Sequence, residues 1–217
     1  MTIDRLRAAE DVLRAAKFLY SRGMVNAFEG NVSRRFGGSL LITPSQVCKE
    51  ELTPLDLVEV DIATGETLYS APGRRASSEV KLHLCCYRTR ADVEGIAHAH
   101  PPYATAFAVC GRPIETAAYP EMILLHGRVP ICRYGRPSTD SVNDEVPAAL
   151  AEYDSFLIEN HGLVSVDISA MAAAYRLEAI ESIAGVLTKA RALGGEKPLP
   201  PGEAEALEAQ RRAARSL

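Results

Sequence analysis

Two histidines separated by a single residue form the most chemically suggestive pattern in this chain. His98 and His100 lie in residues 95–103, which read Gly-Ile-Ala-His-Ala-His-Pro-Pro-Tyr. Side chains alternate between the two faces of a strand, so both imidazoles lie on one face, about 7 Å apart along the strand. Pro101 and Pro102 cannot continue a central strand, and they therefore place the pair at a strand end. Two histidines do not make a site, so further ligands are needed.

His161 is the third candidate ligand, between a predicted strand that ends at Asn160 and a glycine that permits a sharp turn. Taken alone, it is better explained as a hydrogen-bonded turn histidine. Together with the pair, it gives three neutral imidazoles with an open coordination position, which is the pattern of a catalytic zinc site. The other two histidines are His83, inside a predicted helix, and His126, in a connecting segment, and we interpret both as structural.

A possible anion site surrounds a predicted helix start. Glu79 follows Ser77 and Ser78, and the free amides and dipole of a helix start favour anions. Arg74 or Arg75 could add positive charge. By itself, Glu79 is equally an acid that complements the helix dipole. Two segments that end strands near tight backbone could complete the cradle, namely Gly30-Asn31 and Thr43-Pro44-Ser45.

Apolar residues at helical spacing predict the helices that would position these side chains. The first helix covers residues 6–19, with Thr2 as its candidate cap and Gly23 as its stop. Another helix would begin at Ser138 or Thr139 and run to residue 150, with Pro147 as an irregularity late in it. The remaining predicted helices are a short start at residues 53–56 and helices at residues 77–90, 103–110, 169–193 and 203–215.

Alternating polar and apolar residues predict strands at residues 31–36 and 39–43, joined by a Gly-Gly turn, and at residues 58–61 and 66–69. The early part of the sheet should therefore be antiparallel. Later strands are predicted at residues 95–100, 114–118, 122–125, 129–134, 155–159 and 163–166. We expect a main domain over residues 1–195 and, over residues 196–217, a proline-rich linker with a charged helix that is solvated or contacts another subunit.

Length and composition exclude several classes of protein. The chain has 217 residues with 47% hydrophobic content, which suits one domain. A net charge of −4 and a pI of about 5.8 give no broad positive field, so nucleic acid is a poor candidate partner. The sequence has no export signal or membrane-spanning apolar run, and its five cysteines lack Cys-x-x-Cys spacing. We therefore expect a cytoplasmic protein that does not contact membranes.

These motifs resemble those of the class II aldolase and adducin family, typified by L-fuculose-phosphate aldolase. The resemblance covers residues 6–193, and its motifs occur in the family's order and approximate spacing. They are Gly30-Asn31-Val32-Ser33, Leu41-Ile42-Thr43-Pro44-Ser45, Ser77-Ser78-Glu79, His98-Ala99-His100-Pro101 and Asn160-His161-Gly162. The resemblance implies an α/β fold, a three-layer α/β/α sandwich around a mostly antiparallel mixed sheet.

The resemblance also implies the chemistry of the site. It implies Zn²⁺ on His98, His100 and His161, and Mn²⁺, Co²⁺ or Fe²⁺ are alternatives because imidazole accepts them all. Glu79 would be the acid/base, and Tyr119 lies roughly where a second family tyrosine donates a proton. The implied phosphate-binding residues are Gly30, Asn31, Thr43, Ser45, Ser77 and Ser78. The implied assembly is a homotetramer with sites between subunits.

The implied activity is reversible cleavage of a small ketose phosphate into a dihydroxyacetone-phosphate-type fragment and an aldehyde. Three alternatives within the family share zinc and fold: a dehydratase, a decarboxylase or an epimerase acting on a sugar phosphate. A rival from another functional class is a non-catalytic adducin-like interaction module. The family's epimerases commonly carry aspartate where Glu79 stands, which argues against an epimerase. Retention of three histidines and Glu79 argues against the non-catalytic module.

Two departures from the family pattern concern the phosphate site. This chain has Phe28-Glu29 where small hydroxylated residues usually stand, and Gln46 where a glycine usually follows the Thr-Pro-Ser segment. Glu29 would repel a phosphate dianion if it pointed inward. We expect it to face away, because the serine pair and the neighbouring arginines have no comparably simple alternative role. The family's terminal tyrosine is also missing, since no tyrosine follows Tyr175.

Overall fold

One eight-stranded sheet organises the computed structural model, which describes residues 2–136 and 139–215. The strands are β1 (Asn31–Phe36), β2 (Ser39–Ile42), β3 (Val58–Asp61), β4 (Thr67–Tyr69), β5 (Gly95–Ala99), β6 (Ile131–Cys132), β7 (Ser155–Ile158) and β8 (Gly162–Asp167). Their order across the sheet is β4-β3-β2-β1-β5-β8-β7-β6. Every neighbouring pair is antiparallel except β6 and β7. The predicted antiparallel start of the sheet is therefore confirmed.

Helices cover both faces of this sheet. They are α1 (Ile3–Ser21), α2 (Val80–Thr89), α3 (Pro102–Val109), α4 (Val146–Glu152), α5 (Ala170–Ala192) and α6 (Glu203–Arg215). Strand residues alternate between two buried clusters, as the two-residue period of a strand requires. Ala97 and Leu163 pack with α1, α3 and α5, whereas Ile96 and Val164 pack with α2 and α4. The predicted three-layer α/β/α architecture is confirmed.

The longest helices begin where their capping residues predict. The Thr2 hydroxyl accepts a hydrogen bond from the amide of Arg5 at 3.3 Å, and Ser169 caps α5 in the same way. The carboxylate of Asp11 on α1 accepts hydrogen bonds from the first two amides of α5, at 2.8 and 3.1 Å. These bonds tie α1 to α5 beneath the sheet.

The segment between α3 and β7 differs from the prediction of three strands at residues 114–118, 122–125 and 129–134. Only Ile131–Cys132 forms a strand, while Met122–His126 is π-helical and Ile114 and Val129 share one isolated bridge. Short apolar runs do not distinguish strand from other buried structure. Ile114, Met122 and Val129 are fully buried. Their apolar character therefore reflects packing rather than a place in the sheet.

Two helix predictions were also wrong in position. Residues 53–56 form a turn, because the Asp56 carboxylate accepts hydrogen bonds from the amide and hydroxyl of Thr53 at 2.9 and 2.7 Å. Thr139 precedes a 3₁₀ helix, Asp140–Asn143, and Ser138 lies outside the described residues. The helix α4 begins only at Val146, so Pro147 lies in its first turn, where its missing amide hydrogen costs nothing.

The helix α6 packs against the main body of the chain. Arg211 is buried, and its guanidinium lies 5.5 Å from the centre of the Tyr153 ring. The linker before α6 makes a backbone hydrogen bond from Leu199 to Ala117 at 2.9 Å. Division into residues 1–195 and 196–217 stays a prediction. Across residues 2–136 and 139–215, none of the helices has both the length and the apolar character needed to cross a membrane.

Candidate active site

Three histidine side chains converge at the end of β5. One ligand-capable atom from each of His98, His100 and His161 lies within 4.8 Å of the others. The Nε2 atoms of His98 and His100 are 3.1 Å apart, and the three ring centres are 4.8–5.0 Å apart. His98 is completely buried, whereas the other two are partly exposed. The structure therefore brings together the three residues predicted to bind a metal.

Strand pairing and one glycine fix this arrangement. His98 pairs with Val164 of β8, and His161 lies in the tight turn that joins β7 to β8. A Cβ atom at Gly162 would lie 2.6 Å from both the Ala99 carbonyl oxygen and the His100 ring. Only glycine fits there, so the turn residue lets the two histidine segments approach each other.

The donor atoms of the triad fit a divalent metal. The Nδ1 atom of His98 lies 3.0 Å from the carbonyl oxygen of Leu163, so Nδ1 carries a hydrogen and Nε2 is the atom that would bind a metal. Metal–nitrogen bonds of about 2.05 Å at a tetrahedral centre place two nitrogens about 3.3 Å apart, close to the observed spacing of 3.1 Å. Burial and the neighbouring imidazoles lower the pKa of His100 to about 4, which keeps it a neutral ligand.

Glu79 lies directly beside the triad. It is the N-cap residue of α2, one position before the first turn in which we predicted it. Its carboxylate oxygens lie 2.9 Å from Nε2 of His98 and 3.0 Å from Nε2 of His161. Burial alone would raise the pKa of Glu79, but the two imidazoles hold it well below its usual range. Burial by itself would lower the pKa of His98. The charge and hydrogen bond of the Glu79 carboxylate act in the opposite direction, and the pKa of His98 is raised as a result.

A cavity of about 200 Å³ opens next to Glu79, His100 and His161. Five residues of the predicted phosphate cradle line its wall, namely Gly30, Asn31, Ser45, Ser77 and Ser78. The sixth predicted residue, Thr43, does not line it. Its side chain is completely buried, and its hydroxyl accepts a hydrogen bond from the amide of Val32 at 3.2 Å. The Thr43 side chain therefore connects the residue after β2 to the start of β1, and it does not face the cavity.

The two arginines before the serine pair have different partners. Arg74 forms an ion pair with Asp56 at 2.7 Å, so its charge is already compensated. The Arg75 guanidinium donates to the side-chain oxygen of Gln46, which lines the cavity, at 3.4 Å. Gln46 itself adopts a left-handed backbone conformation with φ of 57°, which favours glycine. The substitution that departs from the family pattern therefore costs backbone strain at the cavity wall.

Glu29 lines the cavity, contrary to our expectation that it would face away. Its carboxylate oxygen lies 3.4 Å from Nδ1 of His100, and its side chain is 46% exposed. The Nδ1 atom of His100 is thus a partner for this carboxylate, and local spacing along the chain does not reveal such a contact. Phe28 and Gln46 line the same cavity. Both departures that concern the phosphate site, Phe28-Glu29 and Gln46, therefore adjoin the candidate site.

Tyr119 does not line the cavity of the described chain. Its ring packs instead against the buried cluster around α1, α3 and α5. The catalytic role predicted for Tyr119 thus gains no support from the geometry of one chain. It stays a prediction that needs a second subunit.

The two histidines interpreted as structural are both buried, but they differ in their contacts. His83 lies within hydrogen-bonding distance of Ser33 at 2.6 Å and of Asn31 at 2.5 Å. Both ring nitrogens of His126 are buried without a hydrogen-bond partner among the described residues. His83 therefore contacts a wall residue of the cavity, a link that the helical position alone did not reveal.

Comparison with known proteins gives a consistent result. The profile of the class II aldolase and adducin N-terminal domain matches residues 10–188. A 5-methylthioribulose-1-phosphate/5-deoxyribulose-1-phosphate aldolase from Escherichia coli is 26% identical over 91% of each chain. A 3-oxo-tetronate 4-phosphate decarboxylase from Escherichia coli is 30% identical over 82% of this chain and 84% of its own length. A solved structure of L-fuculose 1-phosphate aldolase superposes with a TM-score of 0.85 at 25% identity, covering 95% of this chain and 96% of the other.

Proposed function

Because the chain belongs to the class II aldolase and adducin family, we propose that it reversibly cleaves a carbon–carbon bond of a small ketose phosphate. The products are a dihydroxyacetone-phosphate-type fragment and an aldehyde. The observation that carries this proposal is the convergence of three histidine nitrogens and the Glu79 carboxylate beside one cavity. Two aldolases and a decarboxylase among the similar proteins act, by their names, on phosphorylated compounds, which supports a sugar phosphate as substrate.

His98, His100 and His161 would hold a divalent metal through their Nε2 atoms. Zn²⁺ suits three imidazoles with an open position, and Mn²⁺, Co²⁺ or Fe²⁺ can occupy the same donors. A metal bound there supplies Lewis-acid stabilisation of the negative charge that develops on substrate oxygens as the bond breaks. The hydrogen bond from His98 to Leu163 orients its ring and makes Nε2 the donor.

Glu79 would transfer the proton at the carbon of the ketone fragment. In the condensation direction, the ionised Glu79 carboxylate accepts a proton from the carbon beside the carbonyl, and the electron pair left on that carbon forms the new bond to the aldehyde carbon. The aldehyde oxygen takes its proton from Tyr119. Cleavage reverses both transfers, so the hydroxyl proton returns to Tyr119 and the protonated Glu79 gives its proton to the carbon. Its position suits this role, because it borders the cavity and lies 3.0 Å or less from two of the histidines. Release from these imidazoles would raise its basicity.

The phosphate group would bind at the amino end of α2. Ser77 and Ser78 line the cavity there together with Asn31 and Ser45, and free helix amides favour an anion. Of the two predicted arginines, Arg75 contacts the cavity-lining residue Gln46, whereas Arg74 is paired with Asp56. Thr43 would act only by holding the ends of β1 and β2 in place.

Tyr119 would handle the aldehyde oxygen from a neighbouring subunit. This role requires the proposed homotetramer with sites between subunits, because Tyr119 lies outside the cavity of its own chain. A mixture of Tyr119→Phe and Glu79→Gln chains tests it. If the two residues act across an interface, mixed oligomers regain sites with both wild-type residues. Activity in the mixture no higher than in either variant alone would remove Tyr119 from the mechanism.

Decarboxylation is the second candidate reaction, because a 30% identical relative is a 3-oxo-tetronate 4-phosphate decarboxylase. Both reactions leave negative charge beside a carbonyl, so the same residues could serve either. The test is to incubate metal-loaded protein with ketose 1-phosphates and with 3-oxo-tetronate 4-phosphate. Aldol cleavage predicts dihydroxyacetone phosphate from the ketoses, whereas carbon dioxide from the keto acid alone would favour the decarboxylase.

The five free cysteines support a reducing cytoplasmic location.

A further inference from the structure

A continuous chain of buried polar side chains leads from the core to Glu79. The Tyr87 hydroxyl lies 2.8 Å from the Ser33 hydroxyl, which lies 2.6 Å from Nδ1 of His83. Nε2 of His83 lies 2.5 Å from Oδ1 of Asn31, and Nδ2 of Asn31 donates to Glu79 at 3.0 Å. All five side chains are at least nine-tenths buried. We call this set the Tyr87–Glu79 chain.

The residue spacing explains how two elements make this chain. Asn31 and Ser33 are two apart on β1, so their side chains lie on the same face of the sheet. His83 and Tyr87 are four apart on α2, so they lie one turn apart on the same face of that helix. These faces of α2 and β1 pack against each other, so successive hydrogen bonds of the chain run alternately from a residue of α2 to a residue of β1 and back.

The carboxylate fixes the direction of every hydrogen bond in the chain. An ionised Glu79 can only accept, so Asn31 must present its amide nitrogen to Glu79 and its oxygen to His83. Nε2 of His83 therefore carries the hydrogen, which leaves Nδ1 to accept from Ser33. The Ser33 oxygen in turn accepts from Tyr87. Burial lowers the pKa of His83 to about 3, consistent with the neutral ring that this pattern requires.

We propose that His83 is a positioning residue for the proposed carbon–carbon cleavage, and that it acts through Asn31 to orient the Glu79 carboxylate. The Glu79 oxygen that accepts from Asn31 is also the one that lies 2.9 Å from Nε2 of His98. Without the donor from His83, the Asn31 oxygen loses the hydrogen bond that holds the carboxamide in place. The amide nitrogen that donates to Glu79 then loses its fixed position, and the carboxylate loses its fixed direction. Ser33 and Tyr87 hold the His83 ring in the required tautomer.

The first test measures the His83 tautomer without any substrate. Nitrogen-15 NMR of histidine-labelled protein distinguishes a ring protonated at Nε2 from one protonated at Nδ1. We expect a neutral His83 with hydrogen on Nε2 at pH 7, with the resonance assigned by its loss in His83→Gln. Hydrogen on Nδ1 would reverse the donor order and overturn the proposal.

The second test separates positioning from a purely structural role. Removing the donor in His83→Leu should lower kcat about 10–100-fold while KM and metal content stay within about twofold of wild type. His83→Gln restores a donor and should recover part of kcat. Ser155→Ala is the matched control, because it breaks another buried hydrogen bond of the same sheet, at 2.9 Å to Ser165, and should leave kcat unchanged.

Wild-type kcat in folded His83→Leu, whatever its melting temperature, would overturn the proposal. If His83→Leu does not fold, Ser33→Ala decides the question, with a severalfold loss of kcat at unchanged KM expected and wild-type kcat contradicting it. This inference rests on the proposed function, but the two fail in different ways. Wild-type protein that turns over no ketose phosphate or keto-acid phosphate refutes the proposed function. Active wild-type protein with equally active variants refutes only the role of His83.

Discussion

Asn31 and His98 lie directly opposite each other in the antiparallel pair of β1 and β5. Asn31 donates to the same Glu79 oxygen that lies 2.9 Å from Nε2 of His98. The pairing of β1 with β5 therefore positions both His98, a candidate metal ligand, and Asn31, the donor to the candidate acid/base Glu79. The start of β1 consequently matters to the site as much as the histidines do.

Replacing Gly30 should disturb this strand pair. An added Cβ would lie 2.3 Å from Val25 and 2.9 Å from the His98 carbonyl oxygen, at a φ of +69°. We expect Gly30→Ala to lower the free energy of unfolding by on the order of 2–4 kcal/mol and to reduce metal content. Gly37→Ala is the control, since it has a φ of +55° but open space, and should cost only about 1 kcal/mol. Equal denaturant midpoints for the two variants would contradict this view.

Glu79→Gln should separate catalysis from stability. The amide keeps the shape of the side chain but cannot exchange the proton, so we expect kcat to fall about 10²–10⁴-fold. The fold should be retained, because the amide oxygen can still accept from Asn31 and the Glu79 side chain makes no capping hydrogen bond to α2. Steady-state kinetics and thermal melts on the same preparation check both statements. Wild-type turnover combined with a melting temperature several degrees lower would assign Glu79 a structural role instead.

The inward position of Glu29 has a consequence for substrate choice. Its negative charge on the cavity wall should weaken phosphate binding, although partial exposure screens the effect. We expect Glu29→Gln to lower KM a few-fold for a phosphorylated ketose and to leave the matched unphosphorylated sugar unchanged. Glu66→Gln, at an exposed turn away from the cavity, is the control. An equal effect on both sugars would show that Glu29 does not act on the phosphate.

Acid should destabilise the protein partly through His126. Burial lowers the pKa of His126 to about 4, below the value of about 6.5 for an unfolded chain. The unfolded state therefore binds more protons between these values, so stability is lost as pH falls from 6.5 towards 4. From pH 7 to pH 5 this one group should cost about 2 kcal/mol. Denaturant unfolding of His126→Leu should show a correspondingly weaker pH dependence, and an unchanged one would refute the assignment.

The sequence predicted elements whose signals are local. The spacing of His98 and His100, the cap at Thr2, the helix start near Ser169 and the Gly-Gly turn of the first hairpin all have short-range physical causes. Residues 114–118 and 122–125 were misassigned because burial, rather than strand pairing, makes them apolar. Local spacing does not tell these two causes apart.

Side-chain direction in the site was harder to predict. Glu29 turns towards His100, and Thr43 turns into the core, because of partners far away in the sequence. His83 looked structural because its link to Asn31 depends on how α2 packs on β1. The sequence shows that Asn31 and Ser33 are two residues apart and that His83 and Tyr87 are four residues apart. These spacings indicate a contact only when α2 is known to pack on β1.

Metal content tests the central claim most directly. Elemental analysis of purified, dialysed protein should find about one divalent ion per wild-type chain. Each of His98→Ala, His100→Ala and His161→Ala should lose most of it, because two imidazoles cannot hold the ion as tightly as three. His126→Leu, which removes a histidine outside the triad, should retain it. Wild-type metal content in any of the three alanine variants would contradict the proposed site.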